Sequence, residues 1–97
     1  MKPTRAINWT ITRGLNDAVA DNEETAKAVY DAIRRFSAGD WGELEQDDKD
    51  ANDSDLKHRD GHVLGKYPTP DGFIYCNLEF HDDEPTDYAC LMFCNEY

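Results

Sequence analysis

The side chains that could do chemistry in this chain are mostly carboxylates. Asp47, Asp48, Asp50, Asp53 and Asp55 fall in one nine-residue stretch, and Asp82, Asp83 and Glu84 form a second run. Residues 40–60 hold nine acids and three bases, and residues 79–87 hold five acids and no base, so the clustering is local as well as overall. Such clusters can bind a hard cation, move protons, or be gripped by a basic surface.

Calcium fits poorly. An EF-hand loop needs ligands at positions 1, 3 and 5, Gly at 6 and Glu at 12. A loop starting at Asp48 puts Asp53 in the Gly place and Arg59 in the Glu place; one starting at Asp50 puts Asp55 and Gly61 there. Transition metals fare little better. His58 and His62 are four apart, but Gly61 argues that any helix has ended before His62. Cys76, Cys90 and Cys94 include no C-x-x-C pair, and they lie in apolar stretches where free thiols behave as small hydrophobes. No metal and no cofactor is expected. The chain has no G-x-S-x-G, H-E-x-x-H or Gly-rich phosphate loop, and its serines are Ser37 and Ser54 alone. The carboxylates are too many to single out an acid–base pair, so the sequence does not read as an enzyme.

The third chemistry suits the pattern better. Acids two to four residues apart on one helix face rise about 3–6 Å, comparable with the ~3.4 Å between phosphates of one DNA strand. Such a face competes with nucleic acid for Lys and Arg. The plain alternative is a solvated, solubilising surface. With 21 Asp and Glu against 10 Lys and Arg, the net charge of −11 repels nucleic acid and anionic lipid, so the expected partners are basic. No run approaches the ~20 apolar residues of a membrane span. The opening residues lead into no apolar signal stretch, and the odd cysteine count suits a reducing compartment, so a cytoplasmic location is expected.

The elements that must position these acids are legible from periodicity. Residues 1–11 read as an N-terminal arm or an edge strand, with Ile7, Trp9 and Ile11 alternating against polar neighbours. Residues 15–20 suggest a short helical turn. Asp21, with Glu24 three residues on, predicts a capped helix over 22–37 whose apolar face is Ala26, Val29, Tyr30, Ile33 and Phe36, closed by Gly39. Trp41 and Leu44 should bury, and Ala51 and Leu56 should hold a fraying acidic helix against the core. From residue 61 the period becomes two. Strands are predicted over 63–67, 73–80 and 88–94, separated by a Pro-Thr-Pro-Asp-Gly turn and a His-Asp-Asp-Glu-Pro turn. The expectation is one α+β domain over residues 1–97: one or two helices within 12–60, packed on a three-stranded antiparallel meander within 61–97.

Thr12-Arg13-Gly14-Leu15-Asn16-Asp17, Gly39-Asp40-Trp41-Gly42 with Leu44, Ala51-Asn52-Asp53, Leu91-Met92-Phe93 and Glu96-Tyr97 together resemble a family of small acidic bacterial proteins carried by plasmids, phages and integrated mobile elements. Residues 1–11 and 82–87 depart from its pattern. Gly-Asp-Trp-Gly is the most specific element, and by itself reads as a capped helix start with a buried Trp41. The resemblance implies a setting in which small acidic proteins inhibit host defence, as anti-CRISPR and anti-restriction proteins do. The implied partner is a Cas effector or restriction complex with a basic DNA- or RNA-binding groove. Asp47, Asp48, Asp50, Asp53 and Asp55, then Asp82, Asp83 and Glu84, are the expected partner contacts. Two alternatives stand beside this: a non-catalytic binding module with a regulatory or maintenance role, and a small metal protein or enzyme using the histidines and cysteines.

Overall fold

A computed structural model describes residues 2–3 and 5–97; Met1 and Thr4 of the lead-in lie outside the described residues. Strand β1 (Ile7–Ile11) leads into helices α1 (Arg13–Asp21), α2 (Glu23–Ser37) and α3 (Gln46–His58). Strands β2 (His62–Tyr67), β3 (Ile74–Glu79) and β4 (Asp87–Phe93) follow, and a single 3-10 turn closes the chain. The class is α+β. The meander β2–β3–β4 forms as expected, but the sheet has four strands in the order β1-β4-β3-β2. The extra strand is the lead-in, which runs parallel to β4 with Trp9 opposite Ala89. Three helices form, not one or two, because residues 13–21 make a full helix.

Helix starts are set by short polar side chains. Thr12 accepts the Leu15 N–H at 3.4 Å and so caps α1. Asp21, expected to cap α2, is instead the last residue of α1. Asn22 serves both helices: its N–H donates to the Ala18 carbonyl, and its Oδ1 accepts the Glu24 N–H at 3.0 Å. The buried stripe of α2 is Thr25, Val29, Ala32 and Phe36, and Tyr30 is 73% exposed. The expected face was turned by a polar residue. Thr25 enters the core because its hydroxyl donates to Asp71 at 2.6 Å in the β2–β3 turn.

The Gly-Asp-Trp-Gly element ends α2 rather than starting α3. Gly39 takes φ +83° and donates to the Phe36 carbonyl, while Asp40 N–H donates to that of Arg35; together these bonds close the helix in a Schellman motif. The Asp40 carboxylate accepts from Arg35 Nε at 2.8 Å and from Gly42 N–H at 3.0 Å. Trp41 is buried against Phe36, which also meets Trp9, so three aromatic rings run through the core edge to face.

Val63 and Tyr67 of β2, Ile74, Cys76 and Leu78 of β3, and Ala89 and Leu91 of β4 bury one sheet face, with Leu15, Val29, Ala32, Phe36, Trp41 and Leu56 completing the core. The outer edge of β2 is closed by side chain and loop. Asn52 of α3 donates to the Leu64 carbonyl at 2.9 Å and accepts the Leu64 N–H at 3.3 Å, as a neighbouring strand would. Lys66 N–H donates to the Trp41 carbonyl, and Glu43 N–H to the Lys66 carbonyl. An exposed ladder is thereby removed. Ala51, expected on the core, is exposed; the buried α3 residues are Asn52 and Leu56.

Gly42 lies where this loop touches β2, with φ +80°, and a methyl group there would overlap the Lys66 carbonyl oxygen. Gly42→Ala is expected to cost at least about 2 kcal/mol, from left-handed strain plus the forced loss of the bridge. Gly72 has φ +122° with open space around its Cβ position, so Gly72→Ala carries only backbone strain. Urea unfolding of both variants should rank Gly42→Ala as clearly the worse.

Candidate interaction surface

The two acidic runs take different roles once folded. The run at 82–87 fastens the fold. Asp87, the first residue of β4, keeps only 4% of its side chain exposed. Its carboxylate accepts from Arg59 Nη1 at 2.9 Å and Nη2 at 2.6 Å, from Arg5 Nη1 at 3.2 Å, and from the His81 N–H at 3.0 Å. These hydrogen bonds, Arg59's first, hold its carboxyl below the usual carboxylate range, against the opposing effect of burial. Asp82 also accepts from both arginines, at 2.5 Å from Arg59 Nε and 3.4 Å from Arg5 Nη1. Glu84 lends its carbonyl to Arg5 and its carboxylate to His81 at 3.1 Å. Asp83 is exposed.

His81, Asp83 and Glu84 bring one ligand atom each within 4.8 Å of one another, the one such group among the described residues. The other metal candidates are separate. His58 and His62 are exposed, and Cys76 is fully buried, its thiol pushed well up by desolvation. Cys90 and Cys94 are half-buried free thiols.

The run at 47–55 is on α3, whose buried side is Asn52 and Leu56. The five aspartates do not form one line. Asp53 is held inward, accepting the Trp41 indole N–H at 2.9 Å. Asp50, one turn earlier on that flank, accepts from Gln46 Nε2 at 2.9 Å. Asp47 points off the outer side and is exposed. Asp48 and Asp55 take the other flank, where with Leu44, Ala51, Leu64 and Tyr75 they line a groove of about 310 Å³ between α3 and the outer sheet face. A second groove of about 440 Å³ continues from it, sharing Leu44, Asp48 and Tyr75 and adding Glu43 and Glu45. Lys66 reaches this end of the groove, but its ammonium lies 4.7 Å from the centre of the Phe73 ring. Among the described residues, Asp47, Asp48 and Asp55 make no ion pair with Lys or Arg, whereas Asp31, Asp40, Asp82 and Asp87 each have an arginine.

This chain matches no known family model, curated protein or solved structure. Its surface therefore has to be read from its own geometry. That geometry is a groove of mixed lining, in which Leu44, Leu64 and Tyr75 supply apolar surface beside the carboxylates of Asp48, Asp55, Glu43 and Glu45, suited to the stem and head of Lys or Arg. Leu44, expected to bury beside Trp41, is only half-buried and lines the groove, whereas Leu64 and Tyr75 were not singled out from sequence. Leu64 and Tyr75 fall at the solvent-facing positions of alternating strands, and no periodicity shows that a helix will lie beside them.

Removing the Asp87 charge should unfasten three segments together. Asp87→Asn is expected to cost about 2–4 kcal/mol, because two partly buried guanidinium groups lose their anion, whereas Asp83→Asn should be near neutral. Asp87 and Asp40 both have lowered carboxyl values when folded. Their contribution is therefore complete above the ordinary value of about 4, and is lost as pH falls through the lower folded values. Urea midpoints measured from pH 7 down to 2.5 should fall on the acid side, and less steeply in Asp87→Asn.

Proposed function

We propose that this protein is a stoichiometric inhibitor of a host nucleic-acid-targeting defence system, occupying a basic DNA- or RNA-binding groove through the acidic flank of α3. The observation that carries the reading is the placing of α3 carboxylates without a Lys or Arg partner along one groove. Asp40, Asp82 and Asp87 are matched by arginines within the fold, while Asp47, Asp48 and Asp55 of α3 have no Lys or Arg partner among the described residues, and Asp48 and Asp55 line a groove that also holds Leu44, Leu64 and Tyr75. Asp48 and Asp55 stand two helical turns apart, a rise of about 10 Å, which is close to three phosphate intervals along one strand. The resemblance to mobile-element proteins narrows the partner to a Cas effector or restriction complex. Asp47, Asp48 and Asp55 are the principal contacts, with Asp83 and Glu84 secondary; Asp53 and Asp82 act through the fold they hold together.

A binding module with a regulatory or maintenance role would use the same flank, and the test separates the two. Bacteria carrying a CRISPR–Cas or restriction system are challenged with a targeted phage while expressing the chain. The parent should raise plating efficiency for at least one system in a panel. The combined Asp47→Lys, Asp48→Lys and Asp55→Lys variant should bind the target about 10- to 100-fold more weakly and lose protection, with its thermal melt unchanged within a few degrees. Protection equal to the parent's would remove this flank as the contact surface. Absence of protection by the parent across the panel would overturn the inhibitor reading in favour of the module.

A further inference from the structure

The two edges of the sheet are treated in opposite ways. The β2 edge is closed by Asn52, Trp41 and Glu43. The β1 edge is left open. Asp87 N–H donates to the Ala6 carbonyl and Thr12 N–H to that of Leu91, which fixes the parallel ladder: Ala6, Asn8, Thr10 and Thr12 turn their backbone groups towards β4. The alternate residues Ile7, Trp9 and Ile11 therefore aim their N–H and C=O groups outward. Among the described residues, no strand lies beyond β1. The strand carries none of the usual edge protection, having no Lys, Pro or inward charge in Ile7–Ile11.

We propose that this edge pairs with β1 of a second copy of the chain, antiparallel about a two-fold axis through Trp9, to form a continuous eight-stranded sheet. Two observations favour a second copy over a foreign strand. Ile-Asn-Trp-Thr-Ile has the same apolar pattern in both directions. Pairing through the outward residues sets Ile7 against Ile11 of the second copy and Trp9 against Trp9, with about six backbone hydrogen bonds and every apolar side chain on the core face. Ile11 is 36% exposed, and Ile7 and Trp9 are only half-buried, so the apolar row is incomplete in one copy. The second observation is charge. The first sixteen residues hold three of the ten bases and none of the 21 acids. In a chain of net −11, Ile7–Ile11 is a strand without a charged residue, so two copies can pair along it without setting acids opposite one another in the ladder. The inference is independent of the proposed function, since α3 flanks the opposite edge.

Sedimentation equilibrium of the full chain between about 1 and 500 µM tests it. The parent should show a monomer–dimer equilibrium that strengthens as NaCl is raised from about 20 to 300 mM, because salt screens the repulsion between two acidic copies. Binding through α3 to a basic partner should weaken over the same range. Ile11→Pro removes only an outward N–H and leaves the β4 ladder intact, and Ile11→Lys places a charge on the edge. Either should weaken the dimer at least about tenfold with little change in the thermal melt. Amide exchange of the unmodified chain offers a reading that needs no variant: Ile7, Trp9 and Ile11 amides should become protected as concentration rises. A parent that stays monomeric throughout, or a dimer that keeps its affinity in both variants and leaves those amides unprotected, would overturn the proposal.

Discussion

The fold depends on one buried carboxylate. Asp87 is the point at which the chain's lead-in, the end of α3, the β3–β4 loop and the start of β4 converge, and each supplies or positions a donor to it. Water cannot compensate a charge this enclosed, so its stability requires the arginines. Arg59 can reach it only because the residue after α3 takes a left-handed conformation, φ 53°, which is uncommon outside glycine. The guanidinium then lies over the Phe80 ring at 4.9 Å as well as against Asp87 and Asp82. The hydrogen-bonded ion pair between Arg59 and Asp87 therefore has to offset both the backbone strain at Arg59 and the burial of Asp87. Register follows from the same point, because Asp87 opposes Ile7 in the β1–β4 ladder and Arg5 stands two residues before Ile7.

A second group of interactions does for the β2 edge what Asp87 does for the other end of α3. Asp40 joins Arg35 to the Gly42 amide, and its carbonyl accepts the Tyr67 hydroxyl at 2.7 Å. Trp41 then reaches Asp53 on α3 while its carbonyl takes a β2 amide. Gly-Asp-Trp-Gly is thus a mortise between α2, α3 and β2. Each of its residues has a structural reason, since both glycines occupy positive φ and the aspartate and tryptophan each satisfy several groups at once. α3 itself has few apolar residues and poor helix formers, and it stays docked through Leu56, Asn52 and these polar ties.

What was legible in the sequence was what repeats. The α2 helix, the three-stranded meander and its two turns follow from apolar period and turn chemistry. What was not legible depends on long-range polar pairs. Thr25 reads as a surface residue until Asp71 is seen beside it, and Asn52 reads as a helix breaker until it meets the β2 backbone. The Ile7–Ile11 alternation is visible, but nothing local says that the strand joins β4 in parallel; that follows from Arg5 reaching Asp87 across most of the chain. The candidate contacts were legible as a composition and not as a surface. Counting acids groups residues 79–87 with residues 40–60, yet folding gives Asp82 and Asp87 of the first arginine partners, while Asp47, Asp48 and Asp55 of the second have no Lys or Arg partner among the described residues.

These placements give the molecule a polarity. In the order β1-β4-β3-β2, the strand with an open edge is farthest from the helix with the free carboxylates. A basic partner gripping the α3 flank and a second copy adding to β1 do not compete for the same surface. A two-fold pair joined at β1 would carry its two α3 flanks at the outer ends of one sheet, facing basic sites on either side. Each exposed ion pair is weak alone, so a carrier presenting two such flanks on a fixed frame gains from effective concentration what single contacts lack. The gain depends on the frame being rigid, and the buried Asp87 clamp beside β1 supplies that rigidity. On the two proposals together, the carboxylate withdrawn from the surface would be what allows the exposed ones to act together.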